Sequence, residues 1–130
     1  DPTTTSIHSF ELATDDCLVE IDVAQWPTNQ YSGFFLTLGG FQFNLYCQGN
    51  GKVSLTTIPN SIYPAETGVW KFRRRGSVFD LTTPSGAVAT SDQSGNANIK
   101  STDTIAWLYT RSSSAGLLKF GGIRISGVIK

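Results

Sequence analysis

Apolar side chains recur at every second position through much of the chain, which is the pattern of strands that bury one face. The clearest example runs from Phe41 to Cys47, where Phe, Phe, Leu and Cys alternate with Gln, Asn and Tyr. The preceding segment, Phe34 to Leu38, alternates in the same way, and Gly39-Gly40 separates the two. A glycine pair between alternating segments favours a two-residue turn with positive φ angles. We therefore predict that residues 31–47 form the central hairpin of an all-β domain.

The same period predicts further strands on both sides of this hairpin. They cover residues 7–12, 17–24, 52–57, 69–75, 77–83, 104–110 and 117–130, with residues 87–98 as a loop or weak edge strand. In the segment 104–110, Ile105, Trp107 and Tyr109 alternate with Ala106 and Leu108, so both faces are apolar and the strand is expected to be central. Residues 58–68 have no period and are expected to cross between sheets.

No segment has the pattern of an amphipathic helix, so the fold class is all-β. Roughly eight to ten short strands with turns about every 8–12 residues predict a two-sheet antiparallel β-sandwich or jelly roll. The 130 residues suffice for one domain, which we place at residues 7–130. The chain has no methionine and begins with Asp1, so we expect it to be part of a longer protein, with residues 1–6 as the end of a linker.

The charge balance limits the class of partner. The formal net charge is zero, which argues against nucleic acid as a partner of this domain. No apolar segment is long enough to predict insertion into a membrane. The densest charge is Arg73-Arg74-Arg75. It is interpreted either as a site for sulfated or sialylated glycans or as a device that keeps an edge strand from pairing with another chain.

Residues for nucleophilic or metal chemistry are scarce. His8 is the only histidine, so a Ser-His-Asp or Cys-His arrangement and a zinc site both lack partners, and no cofactor is predicted. Asp15 and Asp16, adjacent in a turn, are weak candidates for calcium. Cys17 and Cys47 fall at inward positions, where either a disulfide or two reduced thiols would fit.

Loop aromatics are the better candidates for function. Trp26, Tyr31 and Tyr63 lie in or beside loops, where a flat ring could stack on a sugar or anchor a protein interface. The amides of Asn29, Gln30 and Asn60 nearby could form bidentate hydrogen bonds to hydroxyl groups. The alternative is that these aromatic rings close the open ends of the sandwich.

Two carboxylates allow an enzymatic hypothesis. Glu20 and Asp22 occupy alternate positions on the polar face of one strand, as a glycoside hydrolase could use. A polar strand face exposed to solvent explains the same pattern more simply, so a non-enzymatic protein is predicted.

Residues 68–83, GVWKFRRRGSVFDLTT, are followed by a polar loop and then by STDTIAWLYT at residues 101–110. This order resembles the C-terminal half of the protruding domains of small icosahedral virus capsids, of the nodavirus and tombusvirus type. The resemblance covers roughly residues 68–130 and carries no site residue with it. It implies a virion-surface module that forms a dimeric spike and contacts a host receptor or glycan.

The same strand pattern is also similar to lectin-like and tumour-necrosis-factor-like jelly rolls. The alternative function is therefore a carbohydrate-binding module of a secreted enzyme or phage tail fibre. Such a module is expected to be monomeric and to bind glycans through Trp26 or Tyr63.

Overall fold

The structure is a computed structural model that describes residues 3–28, 30–99, 102–112 and 118–127. In this part of the chain, all regular structure is β-strand. The strands are β1 (Thr3–Leu12), β2 (Asp16–Gln25), β3 (Gly33–Leu38), β4 (Phe41–Cys47), β5 (Lys52–Leu55), β6 (Ile62–Pro64), β7 (Gly68–Arg75), β8 (Val78–Thr82), β9 (Val88–Asp92), β10 (Thr104–Ser112) and β11 (Lys119–Ser126). Among these residues no helix exists that could span a membrane.

The strands form two antiparallel sheets. The six-stranded sheet has the order β1-β10-β3-β4-β5-β6, and the five-stranded sheet has the order β11-β2-β7-β8-β9. Every pairing between neighbours is antiparallel. The predicted all-β, two-sheet antiparallel sandwich is therefore confirmed.

The predicted central hairpin is present as β3 and β4. Leu38 pairs with Phe41, and the turn between them is Gly39-Gly40, with φ angles of +55° and +94°. Two consecutive positive φ angles are typical of a type I′ turn, which only glycine adopts without strain. A Cβ atom at Gly39 would also collide with the guanidinium of Arg74, so this turn has no space for a side chain.

The core lies between the two sheets and is rich in aromatic rings. Phe34 and Phe43 come from the six-stranded sheet, and Phe72 and Phe79 come from the five-stranded sheet; all four are fully buried. The ring centroids of Phe43 and Phe72 are 5.2 Å apart across the core. Burial of each such side chain contributes about 1.5–3 kcal/mol to folding. The alternation of apolar and polar residues in the sequence had predicted that these four side chains point inward, and this prediction is confirmed.

The start of the first strand was predicted wrongly. Strand β1 begins at Thr3, four residues before the predicted Ile7, and Thr3 pairs with Ser112 of β10. Threonine suits an extended backbone, and β10 is long enough to supply hydrogen-bond partners for residues 3–6. Asp1 and Pro2 lie outside the described residues, and the domain boundary stays a prediction.

Three further expectations can be compared with the strands. Strand β10 lies between β1 and β3, as predicted for a central strand, and β9 forms an edge of its sheet. Residues 58–68 do connect the two sheets, but they contain β6, which the sequence did not indicate. Two prolines and the three-residue length of β6 hide its alternation, and its position at the sheet edge tolerates proline.

Candidate functional site

The outer face of the five-stranded sheet is charged. The strand register places Glu20 of β2 between Lys71 of β7 and Arg124 of β11. An ion pair of 3.0 Å joins Arg73 Nη2 to Asp16 Oδ1 on the same face. Such alternation of charges is typical of a sheet face that contacts water.

The three consecutive arginines do not form one exposed cluster, so that prediction is wrong. Arg73 and Arg75 point outward and pair with Asp16 and Asp80, each at 3.0 Å. Arg74 points inward and is only 1% exposed. Strand β7 is the middle strand of its sheet, so the alternative of a protected edge is wrong as well. Alternation along β7 divides the arginines between the two faces, and no patch for anionic glycans results.

Glu20 and Asp22 lie on the charged face. Together with Val69, Gly122 and Arg124 they line a shallow pocket of about 340 Å³. Cross-strand pairing with Lys71 and Arg124 gives Glu20 the neighbours of a surface carboxylate. The hydrolase hypothesis stays an untested prediction.

Asp15 and Asp16 are not joined by further acidic side chains at a calcium site in the part of the chain that the structure describes. Asp16 already accepts a hydrogen bond from Arg73, and the Asp15 carbonyl accepts one from the Gly76 amide at 2.7 Å. In residues 3–28, 30–99, 102–112 and 118–127, no group of three or more His, Cys, Asp or Glu side chains is placed to hold a metal ion.

The two cysteines are free thiols in the core. Cys17 and Cys47 are buried and are not joined by a disulfide, which decides between the two alternatives for this structure. Burial raises the pKa of the Cys17 thiol, and it raises the pKa of the Cys47 thiol to about 11. Both thiols are therefore protonated at neutral pH and act as small apolar side chains.

Two of the three predicted loop aromatics belong to the core. Trp26 is 7% exposed, and its ring stacks on Phe34 with the centroids 5.5 Å apart. Its indole Nε1–H donates a hydrogen bond of 2.7 Å to the Glu66 carbonyl. Tyr63 is partly buried and packs against the same core. The expectation of an accessible ring is wrong for Trp26, which instead closes one end of the sandwich.

Replacement of Trp26 by phenylalanine is expected to lower the free energy of unfolding by about 1 kcal/mol, because the donor to the Glu66 carbonyl is lost. The loss stays small because Trp70 Nε1–H also donates to that carbonyl, at 3.0 Å. Urea unfolding followed by far-ultraviolet circular dichroism measures the change. Trp107→Phe, at a position exposed in the monomer, is the matched control, with both variants measured where the chain is monomeric. A Trp26→Phe variant as stable as this control would contradict the structural role.

Tyr31 is exposed, in agreement with its prediction as a loop aromatic. Its side chain is 59% exposed, and its φ angle is +70°. A positive φ is rare for an aromatic residue and marks local strain. Asn29, predicted to act beside it, lies outside the described residues.

The outer face of the six-stranded sheet carries an apolar surface, which we call the aromatic face. It consists of the outward side chains Phe35 of β3, Tyr46 of β4, and Ile105, Trp107 and Tyr109 of β10. Ile105 is 50% exposed and Trp107 is 42% exposed. Ring centroids are 5.2 Å apart for Phe35 and Tyr46, and 6.3 Å apart for Trp107 and Tyr109.

The sequence predicted β10 as an interior strand but did not identify its outer side chains as a surface. Ala106 and Leu108 point into the core and are fully buried, whereas Ile105 and Trp107 point outward. One feature of the sequence could have indicated this surface: both sets of alternating residues in β10 are apolar. That pattern fits a strand covered on both sides, and in this chain only one side is covered by the second sheet.

A groove adjoins the aromatic face at the end of the sheet opposite the Gly39-Gly40 turn. We call it the end groove. It has a volume of about 490 Å³. It is lined by Gln30, Tyr31, Tyr46, Cys47, Gln48, Asn50, Ser54 and Thr56. Of these residues, sequence reasoning selected Tyr31 and its neighbour Gln30 for the binding site. The others become neighbours only when β3, β4 and β5 pair.

Comparison with known proteins gives no relative. No family model matches this chain, no curated protein matches it, and no solved structure matches it.

Proposed function

We propose that this chain is a non-enzymatic projection domain of a virion surface, of the nodavirus or tombusvirus capsid type. In this proposal two copies pair through the aromatic face, and the paired domain attaches the particle to a host cell. The observation that carries the proposal is the exposed apolar surface on β3, β4 and β10.

The contrast between the two outer faces supports pairing through the six-stranded sheet. An antiparallel sheet with one face in water normally carries polar residues there. The five-stranded sheet largely follows this rule, with Glu20, Lys71 and Arg73 outward and Val69 as an exception. The six-stranded sheet departs from it at Ile105 and Trp107, and exposed apolar surfaces of this kind mark interaction sites.

The size of the sheet also supports pairing. Six strands spaced about 4.8 Å apart span about 29 Å. Its strands vary from ten residues in β1 to three in β6, with a mean length of about 21 Å. The resulting area of about 600 Å² is of the same order as the roughly 800 Å² that each partner buries in a standard interface.

A second copy is the occupant that best fits this surface. The outward side chains at its centre that the structure describes are apolar or uncharged, including Thr37 beside Trp107. The charged residues Glu11 and Lys52 lie toward its borders, on β1 and β5. An uncharged centre with charges near the rim is the usual anatomy of a protein interface, and a two-fold axis would place the same surface on both partners.

The strand order supports a jelly roll as the finer description of the fold. The chain passes repeatedly from one sheet to the other, so that β1 pairs with β10 and β2 pairs with β11. Jelly rolls of this general kind occur in viral capsids and in lectins, so the fold alone does not select between the two functions.

The proposal predicts a dimer in solution. Light scattering after size-exclusion chromatography, over a dilution series, is expected to give twice the monomer mass of 14.1 kDa into the micromolar range. A monomer at every concentration would contradict the projection domain and favour the alternative, a carbohydrate-binding module. The end groove is the observation that favours this alternative.

A further inference from the structure

The end groove has the size and position of a site for a small ligand. Its volume of about 490 Å³ falls within the range of about 300–1,000 Å³ that is typical of such sites. It lies where the β3–β4 ladder ends, and one wall continues into the aromatic face through Tyr46. Tyr31 and the residues after β4 lie outside the aromatic face, so the groove has its own binding chemistry.

Tyr31 is held at the groove by its backbone. Its amide N–H donates to the Cys47 carbonyl at 2.8 Å, and the Cys47 N–H donates to the Ser32 carbonyl at 2.7 Å. These two bonds extend the pairing of β3 with β4 and fix Tyr31 at φ +70°. A strained aromatic residue that stays 59% exposed contributes little to the core, which points to a role outside folding.

The other groove residues offer hydrogen bonds without charge. Gln30, Gln48 and Asn50 present side-chain amides, and within the described residues these amides form no hydrogen bond or ion pair. Each amide can donate and accept, as can the hydroxyl groups of Ser54 and Thr56. Eight of the described residues line the groove, and none of these eight is charged.

We propose that the end groove binds a neutral hexopyranose sugar. A hexopyranose has one face of C–H groups, which packs on an aromatic ring, and a rim of hydroxyls, which pair with amides. Tyr31 and Tyr46 supply the rings, and the amides supply the polar partners. This lining favours neutral sugars over sialylated or sulfated ones, because none of the described residues in it would pair with an anionic group. The site goes beyond the proposed pairing, and it shares Tyr46 with the aromatic face.

The test is a titration of the whole chain, labelled with ¹⁵N, followed by NMR. The probes are methyl β-galactoside, methyl β-glucoside and methyl α-mannoside, with N-acetylneuraminic acid as the charged comparison. At least one neutral glycoside is expected to shift the amide signals of Tyr31 and Asn50 saturably, with a dissociation constant on the order of 1 mM. The proposal is overturned if none saturates by about 100 mM, a hundredfold above that value, if the acid binds more tightly, or if only signals of the aromatic face move.

The variant Tyr31→Gly removes the ring and relieves the strain at this backbone position, so it is expected to fold. Sugar binding should weaken at least tenfold. Asn60→Gly is the matched control, because Asn60 is exposed, has a φ angle of +62° and lies outside the groove. Equal affinity of Tyr31→Gly and Asn60→Gly would overturn the site.

The variant Trp107→Lys separates this proposal from pairing, because it alters the aromatic face and leaves the groove lining intact. Because Tyr46 belongs to both surfaces, sugar binding is compared at concentrations where the wild type and the variant are monomeric, and it is expected to agree within twofold. Loss of sugar binding on Trp107→Lys would overturn an independent site in the groove.

Discussion

Replacement of Arg74 by methionine is expected to lower the free energy of unfolding by about 3 kcal/mol. Arg74 is 1% exposed, and its guanidinium fills space between the two sheets above the Phe79 ring, 5.8 Å from the ring centroid. Nε donates to the Gly76 carbonyl at 2.8 Å, and Nη1 donates to the Asp103 carbonyl at 3.0 Å and to Thr104 Oγ1 at 2.9 Å. Methionine has a similar length and replaces none of these donors.

The size of this effect follows from what remains after the substitution. The two carbonyls and the threonine hydroxyl stay in place, and each buried acceptor that loses its partner costs about 1–3 kcal/mol. Removal of a buried charge recovers part of this cost, because the guanidinium no longer has to be desolvated. Thr104 also donates to the Thr14 carbonyl at 2.7 Å, so Arg74 supports the contact between the start of β10 and the turn before β2.

Urea unfolding measured by far-ultraviolet circular dichroism tests this prediction. The matched control is Arg75→Met, where the arginine is 60% exposed and pairs with Asp80 on the surface. An exposed ion pair of this kind contributes at most about 1 kcal/mol. Equal urea midpoints for the two variants would contradict the structural role of Arg74.

Replacement of Trp107 by lysine is expected to raise the dissociation constant of the dimer at least thirtyfold, which corresponds to about 2 kcal/mol. Trp107 lies within the aromatic face, where pairing would desolvate it, and a lysine ammonium there would lose its hydration without a partner. The fold itself should be preserved, because the Trp107 side chain points away from the core. Sedimentation equilibrium over a concentration series measures the constant.

The matched control for Trp107→Lys is Val69→Lys. Val69 is 38% exposed on the outer face of the five-stranded sheet, so an apolar residue is again replaced by lysine on a sheet surface. This variant should pair as strongly as the wild type. Weakening by Val69→Lys, with Trp107→Lys unaffected, would move the interface to the charged face.

The alternation of residues was enough to predict the strands and most of the core, because a period of two fixes which side chains share a face. The same alternation places Arg74 on the inward side with Trp70 and Phe72, but the charge argued for an exposed position. Its acceptors at Asp103 and Thr104 lie about thirty residues further along the chain, and only the folded structure brings them to β7. Local sequence cannot report such distant partners.

The candidate site was less predictable for a related reason. Trp26 and Tyr31 both lie near the same loop, and the sequence treats them alike. Trp26 is buried, and the Glu66 carbonyl, forty residues further along the chain, accepts the hydrogen bond of its indole N–H. Tyr31 stays exposed at the end of the β3–β4 ladder. Because both faces of β10 are apolar, the sequence does not indicate which of them the second sheet covers. The aromatic face therefore became visible only from the strand order.

Acrylamide quenching of tryptophan fluorescence tests most directly whether a second copy covers the aromatic face. Of the three tryptophans, Trp26 and Trp70 are buried and Trp107 is 42% exposed, so Trp107 dominates the accessible signal. Quenching should be strong at concentrations where the chain is monomeric and should fall as the mass doubles. Quenching that stays constant while the dimer forms, or a chain that never forms a dimer, would contradict pairing through this face.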